Sequence, residues 1–190
     1  MKNRNKSELR KIFLQKRKVL FDQEVKELNQ KINLLFDNFL PEDIKTVHIY
    51  LSIQSKVEID TWPLIFGLWA KNIQVAAPVM DAHNTTISSR LLSKETQLVE
   101  NEWKVPEPLH SPEIDKNEIG AVVIPLLAFD KKGFRVGYGK GFYDRFLASL
   151  NPEILKIGLS FFPPVDQISD IDSWDIPLDF CISPETIIKF

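Results

Sequence analysis

Apolar residues near the amino terminus recur at the spacing of an α-helix. Leu9, Ile12 and Phe13 form one apolar stripe, which predicts an amphipathic helix over residues 7–20. A second helix is expected to end before Pro41, because proline cannot continue a helix. This second helix is predicted over residues 22–39, with Asp22 as its N-cap. Two further helices are predicted over residues 61–70 and 141–150.

Short apolar runs between these helices predict strands over residues 46–51, 74–77, 121–127, 156–160 and 180–183. The run over residues 121–127 is the longest and is typical of a buried parallel strand. This alternation favours an α/β fold with a mainly parallel sheet, helices on both faces and an amino-terminal helical pair. We expect residues 1–190 to form one domain, with its ligands at the carboxyl ends of the strands.

Composition narrows the class of protein. Hydrophobic residues make up 44% of the 190 positions and charged residues 26%, as in ordinary globular proteins, and the formal net charge of -2 argues against a general nucleic-acid binder. No apolar run is long enough to span a membrane. Cys181 is the only cysteine, which excludes an internal disulfide and fits a reducing cytoplasm. These features favour a cytoplasmic protein, and a monomer is the expected oligomeric state.

A glycine-rich segment over residues 135–145 carries the clearest chemistry. Gly137, Gly139 and Gly141 alternate with other residues, although the chain has only seven glycines. Bare backbone amides beside Arg135 and Lys140 predict a polyphosphate cradle. The spacing is neither that of a Walker A loop nor that of a dinucleotide fingerprint. A glycine-rich turn with solvated charges is the alternative on spacing alone.

Basic residues also lie on one edge of the first predicted helix. Lys6, Arg10 and Arg17 fall within an arc of about 40° at 100° per residue. Lys6 and Arg10 are one turn apart and can reach the same anion, whereas the alternative is a solvated basic face.

Carboxylates and aromatics supply the remaining candidates. Asp144 and Asp175 are the best candidates for metal contacts, since hard cations prefer oxygen ligands. Glu58 follows a predicted strand and can accept hydrogen bonds from a ligand, with an ordinary surface position as the alternative. Trp103 can stack on an aromatic ligand or simply close an edge of the core.

With these residues in place, the chain resembles the 5-formyltetrahydrofolate cyclo-ligase family, also called methenyltetrahydrofolate synthetases. The resemblance spans nearly the whole chain, and the glycine-rich block is its most specific part. The matching blocks are Lys6-Ser7-Glu8-Leu9-Arg10; Glu58-Ile59-Asp60-Thr61; residues 125–130 continuing through Gly133 and Arg135 to Gly137-Tyr138-Gly139-Lys140-Gly141-Phe142-Tyr143-Asp144-Arg145; and Trp174-Asp175 with Leu178-Asp179.

The resemblance implies an enzyme that converts 5-formyltetrahydrofolate to 5,10-methenyltetrahydrofolate with Mg²⁺ and ATP. It implies that ATP and the folate are the small-molecule partners and Mg²⁺ the cofactor. The implied catalytic residues are Lys140, Arg135 and Tyr143, and the implied metal contacts are Asp144 and Asp175. The implied ATP contacts are Lys6, Arg10, Arg135, Gly137, Tyr138, Gly139, Lys140, Gly141, Phe142 and Tyr143. The implied folate contacts are Ile53, Glu58, Trp103, Tyr138, Gly139, Lys140, Gly141 and Phe142.

Two other functions are compatible with parts of the pattern. A folate or nucleotide sensor would keep the same pocket without turnover. A sugar-phosphate isomerase on a similar sheet would need a general base for proton removal from carbon, which the glycine block does not clearly supply.

Overall fold

A computed structural model describes residues 4–190 of the chain. Its elements are, in order, α1 (Lys6–Lys18), α2 (Asp22–Asp37), β1 (Thr46–Ile49), α3 (Trp62–Ala70), β2 (Gln74–Asp81), β3 (Thr86–Leu92), β4 (Leu98–Glu100), β5 (Pro106–Pro108), β6 (Ala121–Ile124), β7 (Ala128–Phe129), β8 (Arg135–Val136), α4 (Phe142–Ala148), β9 (Leu155–Leu159), β10 (Phe180–Ser183) and β11 (Thr186–Lys189). None of the helices in this part of the chain is both long and apolar enough to cross a membrane.

The central sheet has seven strands in the order β11-β10-β9-β6-β1-β2-β3. Its five inner strands, from β10 to β2, run parallel, while β11 and β3 pair antiparallel at the two edges. The predicted fold class, an α/β fold with a mainly parallel sheet, is therefore confirmed.

The inner strands bury side chains on both faces of the sheet. Val47 and Val123 belong to the apolar cluster that includes residues of α2 and α3, whereas Val122 and Ile124 pack with residues of α4. Helix α1 packs separately, through Leu9 and the residue Phe13, against β7 and β8. Continuous apolar sequence in the inner strands is what burial on both faces requires.

Several element boundaries differ from the sequence-based predictions. Strands β3, β4, β5, β7, β8 and β11 had not been predicted, and β2 extends to Asp81 because it pairs along its length with β3. The apolar run predicted as one strand over residues 121–127 ends at Ile124, since Pro125 has no N–H to donate to a sheet. Asp22 is not the N-cap of α2: Phe21 holds that position with an extended backbone, and its N–H donates to Glu24.

His48 is a fully buried titratable group in the middle of β1. Its Nδ1 lies 2.9 Å from the Ser89 hydroxyl of β3, and its ring packs against Phe146 of α4. Nε2 has no hydrogen-bond partner within residues 4–190. Burial lowers the pKa of His48 from 6.5 to about 3, because the charged imidazolium would lose its hydration.

We expect this histidine to make folding stability depend on pH. The pKa of His48 is lower in the folded than in the unfolded protein, so its contribution is fully present above pH 6.5 and is lost as the pH falls toward 3. Between pH 6 and pH 4 the free energy of unfolding of the wild type should fall by about 1.4 kcal/mol per pH unit more than that of His48→Gln. Urea denaturation at each pH measures this slope. His83→Gln, which removes an exposed histidine, should keep the wild-type slope; equal slopes for the wild type and His48→Gln would contradict the assignment.

Candidate active site

A cavity of about 550 Å³ lies beyond the carboxyl ends of β1 and β6. Tyr50 and Leu51, which follow β1, and Pro125, which follows β6, form its floor. Each residue that the sequence analysis assigned to the site lines this cavity, so residues from distant parts of the chain meet there. They are Lys6, Arg10, Ile53, Glu58, Trp103, Arg135, Gly137, Tyr138, Gly139, Lys140, Gly141, Phe142, Tyr143, Asp144 and Asp175.

The glycine loop, residues 137–141, connects β8 to α4 and forms one wall. Gly139 and Gly141 have φ values of 94° and 69°, in the left-handed region that other residues rarely adopt. Gly141 is also the N-cap of α4. Among residues 4–190, a Cβ atom at Gly137 would meet no atom within 4 Å other than those of its chain neighbours, so this position leaves open space in the cavity.

Two cations of α1 line the cavity, and one of them, Arg10, contacts this wall. Arg10 donates from Nε to the carbonyl of Gly137 at 2.9 Å, and its guanidinium lies against Gly139. Lys6 contacts Asp175 at 2.5 Å and Asp172 at 3.2 Å. Burial lowers the pKa of Lys6, but the hydrogen bonds to these two carboxylates outweigh that effect, and its net pKa lies above the ordinary value.

Arg135 is buried beneath the cavity and holds Asp144. Its Nη2 lies 2.7 Å from Asp144 Oδ1, and its Nη1 donates to the carbonyl of Ile176. Burial lowers the pKa of Arg135, an effect that the neighbouring Asp144 opposes. Most of this guanidinium is therefore engaged with the protein, which makes Arg135 a support for Asp144 in this structure.

Lys140 and Tyr143 present polar groups that the protein itself does not satisfy. Lys140 is exposed, and its ammonium group has no hydrogen bond or ion pair within residues 4–190. The Tyr143 hydroxyl is buried and also has no partner among those residues. Burial raises the pKa of Tyr143, so the hydroxyl stays protonated at neutral pH.

The opposite end of the cavity combines apolar groups with one carboxylate. Glu58 accepts a hydrogen bond from the Ile53 N–H at 2.7 Å and another, through its second oxygen, from the Tyr138 hydroxyl. Trp103 and Phe142 pack edge to face, with ring centroids 5.5 Å apart. An aromatic, partly apolar ligand with hydrogen-bond donors suits this end.

Sequence reasoning had not assigned several other residues that belong to the site. Lys56 lies over the Tyr138 ring, with Nζ 4.4 Å from its centroid, and Met80 of β2 lines the apolar end. Asp172 and the exposed Trp174 form part of the rim beside Asp175. The position of Lys56 just after a parallel strand was the available signal, whereas Met80 carried none.

The two carboxylates predicted as metal contacts face the same cavity. Asp144 Oδ1 is paired with Arg135, while its Oδ2 has no hydrogen bond within the described residues. Asp175 Oδ2 accepts from Lys6 and from the Asp172 N–H. No cluster of three or more His, Cys, Asp or Glu residues that suits a metal ion occurs in residues 4–190. Two carboxylates that line the cavity with the glycine loop fit Mg²⁺, which is commonly bound by one or two carboxylates together with substrate phosphates.

Comparisons with known proteins agree with this geometry. The model of the 5-formyltetrahydrofolate cyclo-ligase family matches residues 2–184. The 5-formyltetrahydrofolate cyclo-ligase of Mycoplasma pneumoniae is 34% identical over 95% of this chain and 99% of its own length. That of Escherichia coli K12 is 28% identical over 91% of this chain and 97% of its own length.

Solved structures give the same result. A 5,10-methenyltetrahydrofolate synthetase from Mycoplasma pneumoniae superposes with a TM-score of 0.77 at 32% identity, covering 95% of this chain and 99% of that structure. The enzyme of the same name from Aquifex aeolicus gives a TM-score of 0.81 at 30% identity, covering 97% and 92%. By sequence and by fold, this chain belongs to the 5-formyltetrahydrofolate cyclo-ligase family of enzymes.

Proposed function

We propose that this protein converts 5-formyltetrahydrofolate to 5,10-methenyltetrahydrofolate, using ATP and Mg²⁺ and releasing ADP and phosphate. The observation that carries the proposal is one cavity with two chemically different ends. Lys6, Arg10 and Lys140 gather with the glycine loop at one end, and Glu58 lies with aromatic side chains at the other. The names of the relatives supply the substrate, and the cations suit a triphosphate.

The glycine loop separates the two ends and borders both. Gly137 and Gly139 lie beside Arg10, whereas the Tyr138 side chain points to Glu58 and Phe142 packs on Trp103. A folate whose ring system lies at Glu58 and Trp103 would therefore place its formyl group at the same loop as the terminal phosphate of ATP. Such juxtaposition of reactants supplies much of the rate in phosphoryl transfer.

The chemistry requires no protein nucleophile. The formyl oxygen attacks the γ-phosphorus, the bond from that phosphorus to the ADP oxygen breaks, and a phosphorylated imidate forms at N5. The N10 lone pair then attacks the formyl carbon, the proton on N10 is lost, and the carbon–oxygen bond breaks to release phosphate and the cyclic methenyl product. Both steps move negative charge onto phosphate oxygens, so cations that face those oxygens lower the barriers.

Different residues of this chain would stabilise the charge on the phosphate oxygens and position the reactants. Lys140 carries an ammonium group without a counter-charge among residues 4–190, and it would contact the transferred phosphoryl group. Arg10 and Lys6 would hold the other phosphates, and Arg135 keeps Asp144 oriented. Asp144 and Asp175 would hold Mg²⁺, which when bound neutralises phosphate charge. The buried Tyr143 hydroxyl offers one further donor at the cavity wall.

The first experiment follows the near-ultraviolet absorbance of the methenyl product when purified protein meets 5-formyltetrahydrofolate, Mg²⁺ and ATP. We expect a rise that requires both ATP and the metal. Asp144→Asn keeps an acceptor for Arg135 but removes the charge, and it should raise the Mg²⁺ concentration for half-maximal rate by about tenfold or more. Asp43→Asn, at an exposed aspartate outside the cavity, is the control. A flat trace from folded wild-type protein that binds ATP would contradict the proposed function.

Replacement of the phosphate-facing cations tests the nucleotide end separately. Charge-assisted hydrogen bonds contribute about 1.5–3 kcal/mol, so Lys140→Ala and Arg10→Ala should each lower kcat/KM for ATP by about 10- to 100-fold. Steady-state kinetics at saturating folate measures the change. Lys11→Ala, which removes an exposed cation of α1, should match the wild type. Full ATP turnover in both variants would show that these cations do not bind the phosphates.

The Gly137→Ala variant tests whether ATP approaches this part of the glycine loop, without straining the folded protein. Apart from its chain neighbours, a methyl group there meets no atom of the described residues within 4 Å, and the backbone is not left-handed, so stability should not fall. The same methyl enters the cavity, so the KM for ATP should rise. Thermal melting and steady-state kinetics measure the two quantities. Gly67→Ala in α3, far from the cavity, is the matched control. An unchanged KM in Gly137→Ala would mean that ATP does not approach this part of the loop.

A further inference from the structure

Arg17 is a buried cation that the proposed reaction does not use. It lies in the last turn of α1, is 4% exposed, and donates from Nη2 to the carbonyl of Leu126 at 2.5 Å, just beyond the end of β6. No ion pair between Arg17 and a carboxylate occurs within residues 4–190. A buried guanidinium is costly unless nearby groups balance its charge.

The second contact of Arg17 leads into the site. Its Nη1 lies 3.4 Å from the Tyr138 hydroxyl, and that hydroxyl in turn donates to Glu58. The other oxygen of Glu58 accepts the Ile53 N–H at 2.7 Å. The Tyr138 hydroxyl therefore connects a buried cation to a carboxylate, accepting from one and donating to the other. We call this chain of Arg17, Tyr138 and Glu58 the relay.

Tyr138 is held as a neutral donor within the relay. Burial and the adjacent Glu58 carboxylate both raise the pKa of Tyr138, while the Arg17 charge lowers it in part. The ammonium group of Lys56 covers the ring face. These contacts leave the Tyr138 side chain one defined orientation, toward the folate end of the cavity.

Helix α1 thus holds the glycine loop at two adjacent residues. Arg10 binds the backbone carbonyl of Gly137, and Arg17 binds the side chain of Tyr138. The two arginines are seven residues apart, which places them on the same face of the helix. Arg10 serves the nucleotide end, whereas the groups that Arg17 orients, Tyr138 and Glu58, belong to the folate end.

We propose that Arg17 is a positioning residue for the folate end of the cavity: through the relay it fixes Tyr138 and Glu58 in the orientation that binds 5-formyltetrahydrofolate. This proposal rests on the proposed function for its ligand. A lysine at position 17 would carry all its donors on one nitrogen, whereas the guanidinium reaches Leu126 and Tyr138 from two separate nitrogens held in a rigid fork. The fork is what permits Leu126 and Tyr138 to be held together.

The test compares Arg17→Lys, Tyr138→Phe and the double variant in steady-state kinetics. Loss of the relay should raise the KM for 5-formyltetrahydrofolate by about tenfold in each single variant. The KM for ATP should stay within about twofold, since Arg10 still holds Gly137. The double variant should be no worse than Tyr138→Phe, because both changes break the same chain of hydrogen bonds. Lys18→Ala, at the exposed neighbour of Arg17, is the matched control and should behave as the wild type.

Other outcomes overturn the assignment. An unchanged or lowered folate KM in the single variants, equal rises in both KM values, or effects that multiply in the double variant would make Arg17 a structural residue only. Thermal melting shows whether Arg17→Lys folds; if it does not, Tyr138→Phe alone decides, and an unchanged folate KM overturns the proposal. Absence of methenyl formation by the wild type would count against the proposed function instead, and the dissociation constant of 5-formyltetrahydrofolate would then replace KM in the same comparison.

Discussion

The contact between α1 and the glycine loop is the interaction on which the cavity depends. The loop has little side-chain volume of its own, and two of its glycines have left-handed backbone conformations. Its position is set from outside, by the Arg10 guanidinium on the carbonyl of Gly137 and by Arg17 on the Tyr138 hydroxyl. Leu9 and Phe13 pack the helix onto β7 and β8, so apolar contacts hold α1 to the strands before the loop and two cationic contacts hold it to the loop itself. A glycine-rich loop held in this way leaves its backbone amides accessible to a ligand while its conformation stays fixed.

Most of the carboxylates in the cavity are paired with cations of the protein. Lys6 is paired with Asp175, and Arg135 with Asp144, so neither carboxylate is left as an isolated buried charge. In the proposed function, the phosphates and the divalent cation would replace the partners in the Lys6–Asp175 pair, while the buried Arg135 would keep its contact with Asp144. Lys140 differs because it has no protein partner within the described residues, and in the proposed function it would face the group that carries the developing charge.

The periodicity of the apolar residues was sufficient to predict the helices. The inner strands could be predicted because burial on both faces requires continuous apolar runs. Residues 62–70 and 180–183 were predicted almost to the residue. The missed strands β3, β4, β5, β7, β8 and β11 lie at sheet edges or in small sheets, where mixed polar and apolar residues form strands only because a partner lies alongside. For the same reason the extension of β2 to Asp81 could not be predicted without β3.

The sequence by itself determined the chemical inventory of this protein: alternating glycines, cations and carboxylates in blocks specific enough to indicate its family. Those signals are local, since glycine spacing and helical periodicity act over a few residues. Only the tertiary structure decided which of these groups meet. Arg17 and Tyr138 are separated by 121 positions, and Tyr138 and Glu58 by 80. Whether Arg17 is a solvated helix cation or a buried partner of Tyr138 depends on how α1 packs on the end of β6, and that packing is set by the apolar contacts of the whole domain.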